Sequence, residues 1–149
     1  MITHLIDGKS VDSPDRFTTY SPATTEALDE VAAGGEREVM LAVEAAKAAF
    51  PKWAGTPAKQ RAKIMRRLGE LIEKAVPELS ALETEDTGLP IHQTGHALIP
   101  RAADNFYFFS EVATRMDGHC YPVDDQMLNY TLVQPVGVCG LISPWNVPS

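Results

Sequence analysis

The sequence predicts an α/β protein in which short strands come first, a block of helices follows, and extended segments return near the end. Apolar runs broken by turn residues predict the early strands, and apolar side chains that recur every three or four positions between residues 39 and 116 predict the helices. The uninterrupted apolar run Val136–Ile142 is typical of a parallel strand covered by helices on both faces.

The chain starts with a predicted β-ribbon. Leu5-Ile6 and Val11 flank Asp7-Gly8, a dipeptide that readily takes the positive φ angles of a tight hairpin turn. Phe17–Tyr20 and Leu28–Val31 predict two further short strands.

Gly34-Gly35 ends the strands and opens the first predicted helix, because Glu36 and Glu38 place negative charge near the positive end of its dipole. Pro51 is expected to kink or end this helix. The apolar residues of its predicted buried face recur at helical spacing: Val43, Ala46, Phe50 and Trp53.

A stronger helical pattern follows, with Thr56 as the expected N-cap and Pro57 at the first helical position. Its predicted buried stripe consists of Ile64, Leu68, Leu71, Ile72 and Ala75. A cluster of basic residues lies around the opposite side of the helix: Arg61, Lys63, Arg66 and Arg67. They form either an anion-binding cluster or a solvated face that pairs with Glu70 and Glu73, and the solvated face is the favoured interpretation.

Two more helices are predicted. The first begins at Pro77 and stops at Gly88, because glycine takes the left-handed conformation that ends helices and Pro90 cannot extend one. The second spans Arg101–Met116 and stops at Asp117-Gly118, with a loop between the two helices.

The loop carries His92 and His96 at the spacing of a helical pair of metal ligands. A glycine stands between them, and no third ligand lies at useful spacing. We therefore interpret both, together with His119, as structural or surface residues, and predict no metal site.

The composition excludes several classes of protein. A net charge of −7, from 13 Lys and Arg against 20 Asp and Glu, disfavours nucleic acid as a partner, since that requires a cationic surface. The sequence has neither an apolar run that could span a bilayer nor a signal-peptide pattern, so we expect a cytoplasmic protein without a membrane partner. Cys120 and Cys139 are too few for a disulfide framework and are expected to be reduced, packed thiols.

The carboxyl-terminal stretch predicts two strands of different kinds. Met127–Val133 alternates in part between apolar and polar residues, which is typical of an exposed or edge strand, and Pro135 cannot donate a ladder hydrogen bond. The buried strand expected at Val136–Ile142 requires neighbouring strands that this sequence does not supply. We therefore expect the chain to be the front part of a larger α/β protein.

Gln134–Pro148 resembles the P-x-G-V…I-x-P-W-N-x-P signature of the NAD(P)-dependent aldehyde dehydrogenase superfamily. The resemblance extends backwards over essentially the whole chain, through Asp86–Pro90, Arg61, Ala45–Phe50 and Ser21–Glu26. It implies the amino-terminal part of the aldehyde dehydrogenase fold, in which a β-ribbon, helices, a bridging strand and the first strand of a Rossmann-like parallel sheet follow one another.

The resemblance divides the chain into three parts. Residues 1–125 would be the amino-terminal part of the NAD-binding domain, residues 126–136 a bridging or oligomerisation strand, and residues 137–149 the truncated first strand of the Rossmann-like sheet. It implies a homo-oligomer for the full-length protein. Within the family, Thr87–Thr94, Tyr121–Asp125 and Met127–Val133 most resemble dehydrogenases that oxidise a semialdehyde in aromatic catabolism.

The resemblance also implies a reaction on a small-molecule aldehyde. In the family a cysteine thiolate attacks the aldehyde, hydride passes to the nicotinamide of NAD, and a glutamate-activated water hydrolyses the thioester to a carboxylate. Asn146 matches the asparagine whose amide donates a hydrogen bond to the oxyanion. The residues that match the lining of the cofactor cleft are Ile142, Ser143, Pro144 and Trp145. NADP is not excluded by the resemblance, and no metal is implied.

The family's nucleophilic cysteine, general-base glutamate, ribose-binding lysine and glycine-rich cofactor loop have no counterpart in these 149 residues. Neither Cys120 nor Cys139 matches the nucleophile. We therefore expect the chain to supply the oxyanion donor and one wall of the cofactor cleft to an enzyme completed elsewhere, and to be inactive alone. The alternative is a non-enzymatic truncated product that acts through self-association or through pairing with a full-length relative.

Overall fold

A computed structural model describes residues 1–146, so the predictions that concern residues 147–149 lie outside the described residues. The strands are β1 His4–Ile6, β2 Lys9–Val11, β3 Arg16–Tyr20, β4 Ala27–Ala32, β5 Cys120–Pro122 and β6 Leu128–Tyr130. The helices are α1 Glu36–Ala54, α2 Ala58–Lys74, α3 Val76–Thr87, α4 Ile91–Gln93, a π-helical turn Thr94–Leu98 and α5 Ile99–Val112. The strands form three antiparallel two-stranded ribbons.

The two amino-terminal ribbons confirm the predicted strands. β1 and β2 pair with Ile6 opposite Lys9, and the turn between them places Asp7 at φ 53° and Gly8 at φ 70°. These positive angles are the ones that a two-residue hairpin turn requires. β3 and β4 pair with Phe17 opposite Val31, and Tyr20 lies next to an irregularity in the register.

Helix α1 begins where the glycine pair and the acidic residues predict. The backbone N–H of Gly35 donates to the Glu38 carboxylate at 2.9 Å, which satisfies one of the free donors at the start of the helix. Pro51 does not end the helix, which continues to Ala54, and the kink expected there stays a prediction. A proline so close to the carboxyl end removes one backbone hydrogen bond, and little of the helix remains beyond it to be disturbed.

Glu38 makes the stability of this helix start depend on pH. Its side chain is 8% exposed. Hydrogen bonds from the backbone N–H groups of Gly35 and of Glu38 itself, and then the charge of the Arg37 guanidinium 3.0 Å away, hold the pKa of Glu38 below its ordinary value of 4.5. A lowered folded-state pKa contributes stability above the unfolded-state pKa, and that contribution is lost as the pH falls through the folded-state pKa.

We therefore expect the difference in urea midpoint between the wild type and Glu38→Gln to be largest near neutral pH and to shrink as the pH falls below about 4. Glu44→Gln, on an exposed residue of the same helix, is the matched control. A difference that stays constant from neutral to acid pH would contradict the role of this carboxylate.

The core lies where α2, α3 and α5 meet. Ile99 and Ala103 of α5 and Ser80 of α3 are each 2% exposed, and Thr94 of the π-helical turn is fully buried. The Thr94 hydroxyl lies 3.0 Å from the Thr84 hydroxyl and 3.2 Å from the carbonyl oxygen of Ser80, so this buried polar group is satisfied.

Close contact between α2 and α5 depends on Gly69. This residue is buried, and the ring of Tyr107 lies directly against it. The Tyr107 hydroxyl donates to the Glu73 carboxylate at 2.9 Å, and the Arg66 guanidinium lies 5.4 Å from the centre of the ring. Partial burial raises the pKa of Tyr107, and the hydrogen bond to Glu73 raises it further.

One prediction for α2 is wrong in part and another is wrong. Ile64, Leu68 and Leu71 of the predicted buried stripe are exposed, whereas Ile72 and Ala75 are half-buried. The fully buried residue of α2 is Gly69. The 3.6-residue period shows that α2 is amphipathic, but its apolar face is too wide for one neighbouring helix to cover. The period therefore does not say which part of that face is buried. The predicted N-cap is also wrong, because Pro57 and not Thr56 holds the N-cap position of α2. The Thr56 hydroxyl donates instead to the Lys52 carbonyl at the end of α1, at 2.8 Å.

The predicted stop of α3 is confirmed, because Gly88 takes φ 75° and its N–H donates to the carbonyl of Thr84. The loop predicted after it is largely helical, since α4 and the π-helical turn lead directly into α5. Helix α5 ends at Val112, four residues before the predicted end. His92 and His96 are exposed, as expected of surface residues.

The β5–β6 ribbon confirms part of the strand predicted at Met127–Val133, and its side chains are exposed as an edge strand requires. Cys120 lies on β5 opposite Tyr130 and is exposed, so the prediction of a packed thiol is wrong there. Within residues 1–146, no helix combines the length and the apolar character needed to cross a membrane.

Candidate functional site

The candidate site residues lie at the end of a long irregular segment. Its start is anchored to the residue before β5, because the Thr131 N–H donates to the His119 carbonyl at 2.9 Å and the His119 N–H donates to the Thr131 hydroxyl at 2.8 Å. From Thr131 to Pro144 the chain forms neither helix nor strand, and Trp145 and Asn146 lie in a turn.

The buried parallel strand predicted at Val136–Ile142 is absent from the structure. Val136 is 90% exposed and Leu141 is 91% exposed, and no backbone N–H of this segment donates to another backbone group of residues 1–146. A strand exists only where a neighbour satisfies its N–H and C=O groups, and the described chain offers none here. Cys139, predicted to be packed inside this strand, is exposed for the same reason. The three-part division of the chain stays a prediction.

The five predicted site residues are contiguous and open to solvent. Ile142 is 99% exposed and Trp145 is 88% exposed, and Ser143, Pro144 and Asn146 are exposed as well. The segment therefore presents one amide donor beside an aliphatic and an aromatic surface. These are suitable groups for a neutral hydrogen bond and for contact with a planar ring.

A dinucleotide groove requires a second wall. Because the side chains of Ile142 and Trp145 are almost fully exposed, no part of residues 1–146 packs against them to form that second wall. The described residues therefore do not form a site for NAD by themselves, and no step of hydride transfer can be assigned to them. Across the same residues, no group of three or more His, Cys, Asp or Glu is placed to hold a metal ion.

The absence of hydrogen-bond partners predicts fast hydrogen exchange in this segment. We expect the amides of Val138, Leu141 and Ile142 to exchange without protection, whereas those of Ala103 and Phe106 in the middle of α5 should be protected. Exchange followed by NMR on the 149-residue chain measures both groups in one experiment. Protection of residues 136–142 comparable to that of α5 would contradict the exposed arrangement.

Sequence reasoning missed one further feature, a cavity between the end of α1, the start of α2 and the segment 133–135. Its lining includes Trp53, which was predicted to lie on the buried face of α1, and Arg61, which was predicted to belong to a solvated basic face. Only a fold that brings the distant segment 133–135 against α1 and α2 creates this cavity, so no local sequence signal could have revealed it.

Comparison with known proteins defines the class of protein. Residues 9–149 match the sequence model of the aldehyde dehydrogenase family, and the chain therefore belongs to that family. The fold agrees, because the structure superimposes with a TM-score of 0.83 on the crystal structure of PnpE in complex with nicotinamide adenine dinucleotide. That pair is 35% identical, and the match covers 87% of this chain and 27% of PnpE.

Among characterised relatives, the chain is 63% identical over 147 residues to the 5-carboxymethyl-2-hydroxymuconate semialdehyde dehydrogenase of Escherichia coli. The match covers 99% of this chain and 31% of that protein. The 2-aminomuconic semialdehyde dehydrogenase of Bos taurus is 37% identical over 149 residues, with 99% of this chain and 31% of the relative covered. The chain thus spans about a third of the length of these relatives.

Proposed function

We propose that this chain is the amino-terminal portion of an NAD-dependent aldehyde dehydrogenase, and that its substrate is 5-carboxymethyl-2-hydroxymuconate semialdehyde. The enzyme would oxidise the aldehyde to a carboxylate through a cysteine thiohemiacetal, with one water consumed and one hydride passed to the cofactor. The observation that carries the proposal is the 63% identity to the Escherichia coli enzyme over 147 residues.

The difference in sequence identity between two relatives supports the choice of substrate. Identity falls from 63% for the carboxymethyl-hydroxymuconate enzyme to 37% for the aminomuconic one, although both matches cover 99% of this chain. Both named substrates are semialdehydes, so the comparison favours that chemical class and, within it, the carboxymethyl-substituted compound.

In this proposal Asn146 is the residue of the described chain that touches the reacting atoms. Its side-chain N–H₂ would donate to the aldehyde oxygen as negative charge develops there, and a neutral amide does so without adding charge to the site. Ile142, Ser143, Pro144 and Trp145 would form one wall of the cofactor cleft. Their exposure supports this role, since a surface that is to contact cofactor and further protein must be free to do so.

A hybrid enzyme tests the catalytic part of the proposal. Residues 1–149 replace the matching segment of the Escherichia coli relative, and formation of NADH is followed with the semialdehyde. We expect the hybrid to turn over within about tenfold of its parent, and the 149-residue chain alone to give no NADH. Turnover by the chain alone at about 1 s⁻¹ or more, or a folded but inactive hybrid, contradicts the proposal.

The substrate requires a separate measurement, because most of the hybrid comes from the relative. The protein encoded by the complete reading frame that contains these codons should show a higher kcat/KM for 5-carboxymethyl-2-hydroxymuconate semialdehyde than for 2-aminomuconic semialdehyde. NADP in place of NAD is the cofactor control. An equal or reversed preference between the two aldehydes would remove the substrate assignment and leave the family unchanged.

A second candidate function rests on the exposed apolar surface of the β5–β6 region. Leu128 and Tyr130 lie on β6, in a ribbon to which residues 1–146 add no third strand, and Leu132 follows that strand. All three side chains are more than half exposed. The chain would then act without catalysis, by self-association or by binding a full-length relative. Sedimentation velocity distinguishes the catalytic function from this second candidate. If the chain sediments as a compact monomer and does not bind the full-length relative, the second candidate is excluded.

A further inference from the structure

The cavity at the junction of α1 and α2 has a volume of about 310 Å³, which is the size of a small-molecule site. Its lining is mainly apolar and includes Trp53 from the end of α1, Met116 beyond α5, and Val133 and Pro135 from the irregular segment. None of the candidate site residues Ile142–Asn146 lines it. The cavity is therefore separate from the site proposed above.

Arg61 is the charged residue in this lining. Arg66 and Arg67, two of its neighbours on α2, both pair with Glu70, which confirms the solvated interpretation for that part of the basic cluster. Arg61 differs from them because it is half-buried, and its guanidinium donates to a backbone oxygen, the carbonyl of Thr56. No carboxylate of residues 1–146 lies within ion-pairing distance of it.

A partly buried guanidinium with spare donors favours a carboxylate ligand, because its planar fork matches the two oxygens of that group. Ala58, the first residue of α2, also lines the cavity, so the positive end of a 17-residue helix lies at the same wall. Neither Asp nor Glu is among the lining residues to oppose an anion. The indole of Trp53 offers an aromatic surface beside the charge.

We propose that this cavity binds a small aromatic carboxylate, with the carboxylate on Arg61 and the ring among Trp53, Met116 and Pro135. The interaction requires both parts of the ligand. The guanidinium supplies charge-assisted hydrogen bonds, and the apolar lining supplies burial of the ring. The proposal does not depend on the dehydrogenase assignment, and its test involves no turnover.

The test uses 2-naphthoate as the probe and ligand-observed NMR titration of the 149-residue chain as the measurement. The neutral amide 2-naphthamide has the same ring without the charge. We expect saturable binding of the carboxylate and at least about tenfold weaker binding of the amide, because the charge-assisted hydrogen bonds to Arg61 are lost. Equal affinities would show that the ring merely adheres to exposed apolar surface, and would overturn the proposal.

Two variants locate the site. Arg61→Gln should weaken 2-naphthoate binding by about tenfold or more, whereas Arg67→Gln, on an exposed arginine of the same helix, should leave it unchanged. Ala113→Leu keeps Arg61 and fills the cavity from the end of α5, and it should also abolish binding. Undetectable binding to the wild type, or unchanged binding to both Arg61→Gln and Ala113→Leu, overturns the proposal.

Discussion

Asn146→Ala, in the hybrid enzyme with residues 1–149 of this chain, is expected to lower kcat about 10²- to 10³-fold. The amide is proposed to act where charge develops on the aldehyde oxygen, so its loss raises the energy of the transition state more than that of the bound substrate. KM for the aldehyde should therefore change little. Steady-state NADH formation over a range of aldehyde concentrations separates the two parameters.

Two further variants sharpen this prediction. Asn146→Asp should be at least as slow as Asn146→Ala, because a carboxylate repels the developing oxyanion. Asn105→Ala, an exposed asparagine on α5, is the matched control and should retain the activity of the hybrid. A kcat for Asn146→Ala within threefold of the hybrid, with NAD binding intact, would mean that Asn146 is a turn residue without a catalytic role.

Gly69→Ala is expected to lower the free energy of unfolding by about 1–3 kcal/mol, although alanine is the better helix former. A Cβ atom at position 69 would lie 2.7 Å from Cε1 of Tyr107, closer than real Cβ atoms approach a neighbour. The ring cannot turn away freely, because its hydroxyl is bound to Glu73 and its face contacts Arg66. Urea unfolding should show a lower midpoint with an unchanged m-value.

A double-mutant cycle tests the cause. In a Tyr107→Ala background the space beside residue 69 is open, so Gly69→Ala should there be neutral or stabilising. Gly95→Ala is the matched control, since a Cβ at that position meets its nearest neighbour, the Ser80 hydroxyl, at an ordinary 3.5 Å. If Gly69→Ala destabilises equally in both backgrounds, the clash with Tyr107 is not the reason for glycine at this position.

Local chemistry accounts for the elements that the sequence predicted correctly. The turn at Asp7-Gly8, the helix start at Gly35 and the helix stop at Gly88 each depend on groups within a few residues of one another. A hydrogen bond from Gly35 to Glu38 or a positive φ at Gly88 needs no distant partner. Such features form wherever the local sequence permits them.

The wrong predictions share a different cause, which is dependence on a distant partner. The apolar arc of α2 meets α5 through Gly69, and the predicted stripe at Ile64 and Leu68 is left exposed. Whether Val136–Ile142 is a strand depends on neighbours that satisfy its backbone, and none lies among residues 1–146. Periodicity reports which residues are apolar, but not which surface will cover them.

The sequence by itself determined the family, the order of β1–β4, α1, α2, α3 and α5, and the motif that makes Asn146 the candidate oxyanion donor, because these follow from residue identity and spacing. Tertiary structure alone decided which face of α2 is buried, and that Arg61 lines a cavity with Trp53 and the segment 133–135. The physical reason is that burial and cavities arise from contacts between segments far apart in the chain, and those contacts exist only once the helices are packed.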